Sequence, residues 1–143
     1  MRVFAFACSL ALTTALSACA GIGAPAPQTL AGTTWSLERI MLGSGETLRG
    51  DGQRVTFGAD GRLALTSCNQ CSGPYRERDG VLTVAPAMAC TLRGCPPEAI
   101  ELERYISGTL TFRRQGDYLF VTPAQSETVA AGTELLFLPT QAE

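Results

Sequence analysis

The sequence predicts a mainly β protein with a small α component. We expect a small antiparallel β-barrel, or a strongly curved sheet, of about eight strands with one helix packed at one end. Three observations support this fold class. Apolar and polar residues alternate with a period of two along most of the chain from Leu30 onward. Turn residues separate these runs into short segments. Four cysteines lie close together in the middle of the chain, which is typical of a small domain stapled by disulfides.

Three turns that contain glycine separate pairs of alternating runs, which is the pattern of β-hairpins. Asp79-Gly80 is the clearest of them, because glycine takes the positive φ that a tight hairpin turn requires. The turns lie at 59–61, 79–80 and 115–117, and the strands are predicted at 35–37, 55–57, 63–65, 81–84, 110–112, 118–121 and 134–138.

One segment, 96–108, predicts a helix. Two prolines and a glutamate open it, which suits the first turn of a helix and the positive end of its dipole. Ala99, Leu102 and Ile106 would share one apolar face, and Gly108 would end the helix.

The first 18 residues predict a bacterial lipoprotein signal peptide. A short positive region precedes an apolar run that is too short to span a bilayer, and Leu16-Ser17-Ala18-Cys19 resembles a lipobox. Cys19 is therefore the expected lipidation site, and its acyl chains would anchor the protein in the membrane. The alternative is ordinary secretory cleavage after Ala18 or Ala20, with Cys19 incidental.

The remaining chain divides into a tether and one domain. Residues 19–29 are small, uncharged and rich in proline and glycine, so they predict a lipidated tether, and residues 30–140 form the domain. Alanine at position 20, where retained lipoproteins carry aspartate, favours the outer membrane, with the domain facing the periplasm.

The composition excludes several function classes. The chain has no histidine and no lysine, which removes Ser-His and Cys-His catalysis, Schiff-base chemistry and every histidine-containing metal site. A formal net charge of −2 gives no electrostatic footprint for nucleic acid. We therefore expect a protein that is not an enzyme and has no cofactor, no metal and no nucleic-acid partner.

The four cysteines of the domain, Cys68, Cys71, Cys90 and Cys95, allow three interpretations. Cys68 and Cys71 could form a redox pair, but no helix follows to lower a thiol pKa. All four could bind zinc, although the second pair has a looser spacing than zinc ribbons use. Two structural disulfides fit an exported chain best, and each of the first two cysteines would then pair with Cys90 or Cys95.

Two further groups are candidates for function. The segment 69–75 is polar, contains glycine and proline and is flanked by cysteines, so it predicts a rigid binding loop with Asn69, Ser72 and Tyr75 as its contact residues. Ordinary disulfide-loop scaffolding is the alternative. Carboxylates at 98, 101 and 103 could serve acid–base chemistry, but a solvated face of the predicted helix explains them better.

Several short motifs occur in order and at suitable spacing across residues 30–138: LAGTTWSL at 30–37, VTF at 55–57, DGR at 60–62, CN at 68–69, SGPY at 72–75, MAC at 88–90 and GDYL at 116–119. As a set they resemble the META domain of the HslJ-like bacterial lipoproteins. The resemblance implies a β-rich domain with one helix, a place in the cell envelope, and a role in envelope maintenance or in tolerance of stress and drugs. It implies no catalytic residues. It also favours the pairs Cys68–Cys90 and Cys71–Cys95 over the crossed alternative.

Two functions follow as hypotheses. The first is a non-enzymatic, lipid-anchored envelope domain with the membrane, and an envelope protein, as partners. The second is a periplasmic inhibitor or binding module for a hydrolase, which would use the predicted loop 69–75.

Overall fold

The computed structural model describes residues 29–140. They form ten β-strands and a single short 3₁₀ helix among the described residues. The strands are β1 (Thr33–Met41), β2 (Thr47–Arg49), β3 (Arg54–Phe57), β4 (Arg62–Thr66), β5 (Gln70–Arg78), β6 (Val81–Val84), β7 (Ala89–Cys90), β8 (Gly108–Gln115), β9 (Tyr118–Pro123) and β10 (Glu134–Pro139).

Eight of the strands close into an antiparallel barrel. The order around the barrel is β1, β3, β4, β5, β6, β8, β9 and β10, with each strand paired to the next, and β10 pairs with β1 to complete the ring. The remaining two strands extend this wall: β2 pairs with β1 beside β3, and β7 pairs with β5 beside β6. Closure leaves the wall without a long unpaired edge. The predicted fold class is confirmed in its barrel form.

The turns that the sequence predicts are present. Asp79 and Gly80 have φ values of 51° and 77°, which is the backbone of a tight hairpin turn, and they join β5 to β6. The turns at 59–61 and 116–117 join β3 to β4 and β8 to β9.

The barrel interior is filled with apolar side chains. Alternate residues of β3, β4 and β6 are buried and point inward. Trp35, Phe57 and Phe137 are the largest fully buried side chains. The core therefore stabilises the barrel and occupies the space that a ligand would fill in a larger barrel.

The two ends of the barrel differ. Thr140 donates its backbone N–H to Thr34 with an N···O distance of 3.0 Å, so both ends of the described chain lie together. We call this the terminal end, and it also carries the three turns described above. The opposite, distal end carries the connections 42–46, 67–69, 85–107 and 124–133.

The predicted helix at 96–108 is wrong. Residues 91–101 are irregular, and the 3₁₀ helix covers only Leu102–Arg104. Glu101, which would be inside the helix, has the extended backbone angles φ −87° and ψ 95°. Leu102 and Ile106 are nonetheless fully buried, because the segment crosses the distal end and inserts both side chains into the core. The spacing of Leu102 and Ile106 therefore reflects their insertion into the core and not one face of a helix.

The predicted signal peptide, Cys19 and nearly all of the predicted tether lie outside the described residues. Within residues 29–140, no helix is long and apolar enough to cross a membrane.

Candidate binding surface at the distal end

Two disulfides brace the distal end: Cys68–Cys95 joins two of its connections, and Cys71–Cys90 joins β7 to β5 in the barrel wall. The pairing that the family resemblance favours is therefore wrong, and the crossed alternative is present. The reason is register: β7 pairs with β5 so that Cys90 lies directly opposite Cys71, with 4.0 Å between their Cα atoms. Cys95 is then left beside Cys68, at a Cα–Cα distance of 5.8 Å. Because all four sulfurs are bonded, none is a free thiolate for zinc or for a redox pair.

The segment 69–75 is not a projecting loop. From Gln70 onward it belongs to β5 and forms part of the barrel wall. The Tyr75 side chain is buried, stacks edge-on against Phe57 at 5.3 Å between ring centroids, and donates its hydroxyl to the carbonyl oxygen of Gly58 at 3.0 Å. Burial is the main cause that raises the pKa of Tyr75, with Glu77 and Asp60 contributing. Tyr75 is thus a core residue.

The other two residues predicted as contacts have different places. Ser72 lies in the wall, partly buried, with its hydroxyl 3.5 Å from a guanidinium nitrogen of Arg62. Asn69 precedes β5 and holds the neighbouring segment. Its side-chain oxygen accepts hydrogen bonds from the Arg93 backbone N–H at 2.8 Å and the Thr91 hydroxyl at 3.2 Å. Its amide nitrogen donates to the Cys95 sulfur at 3.3 Å.

The segment that Asn69 hydrogen-bonds, around Thr91 and Arg93, projects from the barrel surface. We call residues 90–95 the bridged loop, because a disulfide fixes each of its ends to the chain around Asn69. Leu92, at its centre, is 98% exposed. The sequence analysis missed this loop, although an apolar residue between closely spaced cysteines, in CTLRGC, is a signal that could have found it.

A cleft of about 690 Å³ lies at the same end, between the β2 region and the chain that follows the bridged loop. Its apolar walls include Leu48 and Ile100, and its polar groups include Arg49, Asp51 and Gln53. The Gln53 side chain is buried and accepts the Asp51 backbone N–H at 2.6 Å, which fixes one wall. A mixed lining of this kind suits binding of a surface or peptide more than enclosure of a small molecule.

The three candidate carboxylates do not form a catalytic pair. Glu101 forms an ion pair with Arg104, and Glu103 accepts the Ser67 hydroxyl at 3.0 Å. Glu98 lines the cleft. Two of the three thus have structural partners within the distal connection, and the solvated helical face predicted for them is replaced by this irregular segment.

Arginines on β8 stack on aromatic rings. Arg113 forms an ion pair with Glu134 and lies over the Phe120 ring, 4.1 Å from its centroid. The hydrogen bond that Arg113 donates to the Glu134 carboxylate is the main cause that raises the pKa of Arg113. Arg114 lies over the Trp35 ring at 5.1 Å. Arg113 thus covers a ring that is only partly buried, whereas Arg114 covers the ring of a core residue.

The described residues thus form a closed antiparallel barrel with a filled interior and two disulfides at one end. Residues 28–135 match the family model of the META domain, and the chain belongs to that family.

Two solved structures are similar to this one, and the first of them has the same fold. The NMR structure of a protein from Burkholderia xenovorans has a TM-score of 0.60 and 17% identity, over 79% of this chain and 85% of that one. The crystal structure of a lipocalin-like protein from Bacteroides uniformis has a TM-score of 0.49 and 17% identity, over 76% of this chain and 96% of that one. No curated protein sequence matches the chain.

Proposed function

We propose that the protein is a non-enzymatic, lipid-anchored component of the bacterial cell envelope. It sits in the outer membrane, faces the periplasm, and acts in envelope maintenance under stress or drug challenge. The observation that carries the proposal is the placement of the two ends of the barrel. Thr29 and Thr140 lie at the terminal end, and the disulfide-braced surface lies at the distal end.

A lipid on Cys19 would hold the barrel by its terminal end. Thr29 lies ten positions after Cys19 in the sequence, and a chain of that length reaches at most about 35 Å. The terminal end would therefore stay near the bilayer, while the cleft and the bridged loop would face away from it. Two disulfides support an oxidising compartment such as the periplasm.

The chemistry of the distal end supports binding over catalysis. The chain has no histidine to act as a base, and the Glu101 and Glu103 carboxylates have structural partners. The apolar interior offers no space for a substrate, so the surface of the barrel carries the function.

The test is complementation of a deletion strain under heat, detergent and antibiotic challenge. We expect the deletion to reduce survival, the wild-type gene to restore it, and Cys19→Ser to fail because the protein is no longer anchored. The matched control is Cys8→Ser, which removes a cysteine of the signal segment outside the lipobox and should complement fully.

The intact mass of the protein extracted from membranes separates the two parts of the proposal. A mass that begins at Cys19 and includes acyl chains supports the anchor, and a mass without lipid contradicts it. A deletion strain that survives every challenge as well as its parent contradicts the role in stress tolerance, whatever the mass shows.

A further inference from the structure

The bridged loop presents one apolar side chain entirely to solvent. Leu92 is 98% exposed, whereas Val81 and Tyr118, the other exposed large hydrophobic residues of the described chain, are 37% and 45% exposed. A single surface leucine is ordinary when the chain around it is mobile. Leu92 differs because the segment on both sides of it is fixed.

The bracing of the loop is dense for so short a segment. Cys90 is bonded to Cys71, and Cys95 is bonded to Cys68. The Thr91 backbone N–H donates to the carbonyl of Gln70 at 2.9 Å, which fixes the residue before Leu92. The residue after it, Arg93, is fixed by its bond to Asn69. A partner that binds this loop therefore loses little conformational entropy of the loop on docking.

The main chain of Leu92 is available to a partner. Its neighbours donate their N–H groups to the barrel, but within residues 29–140 the backbone of Leu92 itself forms no hydrogen bond. A fixed segment with a free central residue is what a peptide-binding cleft recognises: the cleft bonds the main chain and takes the side chain into a pocket.

We infer that the bridged loop is an inhibitory loop for an endopeptidase whose primary pocket takes a large apolar side chain. Leu92 fills that pocket, and the Leu92–Arg93 peptide bond lies at the catalytic centre. Because the loop is at the distal end, an anchored protein would present it to the periplasm. The inference does not depend on the anchor and adds a partner to the proposed function.

Cleavage of the loop would not release a product. Hydrolysis adds the hydroxyl of water to the Leu92 carbonyl carbon and a proton to the Arg93 nitrogen. The new carboxyl end stays attached through Cys90–Cys71, and the new amino end through Cys95–Cys68 and Asn69. The two new ends stay together in the active-site cleft of the endopeptidase. Re-formation of the Leu92–Arg93 bond therefore competes with dissociation of the cleaved loop, and the loop inhibits the enzyme.

The experiment measures inhibition of purified chymotrypsin by the full chain, extracted from membranes in non-ionic detergent. We expect competitive inhibition by the wild-type protein. Leu92→Ala should raise Ki by about 30-fold or more, the factor that corresponds to a central contact residue of at least about 2 kcal/mol. Leu92→Phe should retain inhibition, and Val81→Ala, a truncation of an exposed apolar residue outside the loop, should leave Ki unchanged.

Asn69→Ala tests whether bracing makes the loop an inhibitor. We expect this variant to keep both disulfides but to be cleaved between Leu92 and Arg93 faster than the wild-type protein, because Arg93 is no longer held. Mass spectrometry after reduction gives the cleavage site and rate. Asn69→Asp keeps the accepting oxygen and should preserve slow cleavage.

Four results would overturn the inference. They are no inhibition of chymotrypsin by the wild-type protein, an unchanged Ki for Leu92→Ala, rapid turnover of the wild-type loop as an ordinary substrate, and inhibition of trypsin but not of chymotrypsin. The last result would assign the primary contact to Arg93.

Discussion

The two disulfides are nested, with Cys71–Cys90 inside Cys68–Cys95, and this arrangement predicts how stability depends on each bridge. Cys71–Cys90 and Cys68–Cys95 join residues 19 and 27 positions apart. In the chain-entropy model, closing a loop of either length stabilises the protein by about 3 kcal/mol. With one bridge in place, the other closes a ring of only about ten residues and adds about 2.5 kcal/mol.

We therefore expect each single ablation, Cys68→Ala/Cys95→Ala or Cys71→Ala/Cys90→Ala, to lower the free energy of unfolding by about 2.5 kcal/mol. Removal of both bridges should cost about 6 kcal/mol, because nothing then closes the segment. That loss is comparable to the whole stability of many small domains. Urea unfolding of the purified variants measures these free energies, with the wild-type protein as reference.

The matched control removes one partner from each bridge. Cys68→Ala/Cys90→Ala leaves Cys71 in the barrel wall and Cys95 in the bridged loop, on different bridges. We expect two free thiols by alkylation and mass spectrometry, and a stability near that of the variant without either bridge. A Cys71–Cys95 bond in this variant, with the stability of a single ablation, would refute the pairing and the reasoning built on it.

Two further predictions concern the core. Leu102→Ala should lower the free energy of unfolding by about 2–5 kcal/mol, because Leu102 is fully buried beneath the distal connection, whereas Leu92→Ala should change it by less than about 0.5 kcal/mol. Equal urea midpoints for the two variants would contradict the insertion of Leu102 into the core. Tyr75→Phe should flatten the alkaline loss of stability, measured by urea unfolding from pH 8 to 11. Burial, Glu77 and Asp60 raise the pKa of Tyr75 above its ordinary value of 10.0, so its contribution is complete below pH 10 and is lost as the pH rises through the higher folded pKa. The same steepness above pH 10 in both proteins would contradict that origin.

Local sequence was sufficient to predict most strands of the barrel wall. Alternation at 55–57 and 63–65 predicts β3 and β4, since one face of each strand is buried and the other is not. Asp79-Gly80 predicts its turn because few residues adopt that backbone. Trp35 behaves as the core residue expected from its place in the first strand.

Errors arose where tertiary contacts override local preference. Pro96 and the apolar spacing after it resemble a helix start, but Cys95 is tied to Cys68 and Leu102 must reach the core, so the segment crosses the barrel end in an irregular path. The strand β5 was missed because Gly73 and Pro74 are typical of loops. Each is accommodated because β5 changes its neighbour from β7 to β6 along its length.

The sequence by itself determined the class of the domain, because hydrophobic period, turn chemistry and cysteine content are local properties of the chain. It also favoured two disulfides among Cys68, Cys71, Cys90 and Cys95 over a zinc site or a redox pair. Only the tertiary structure decided which pairs form, because that depends on the register of β7 against β5. The same register places Asn69 beside the bridged loop and leaves Leu92 in solvent, and no local pattern encodes a juxtaposition of residues more than twenty positions apart.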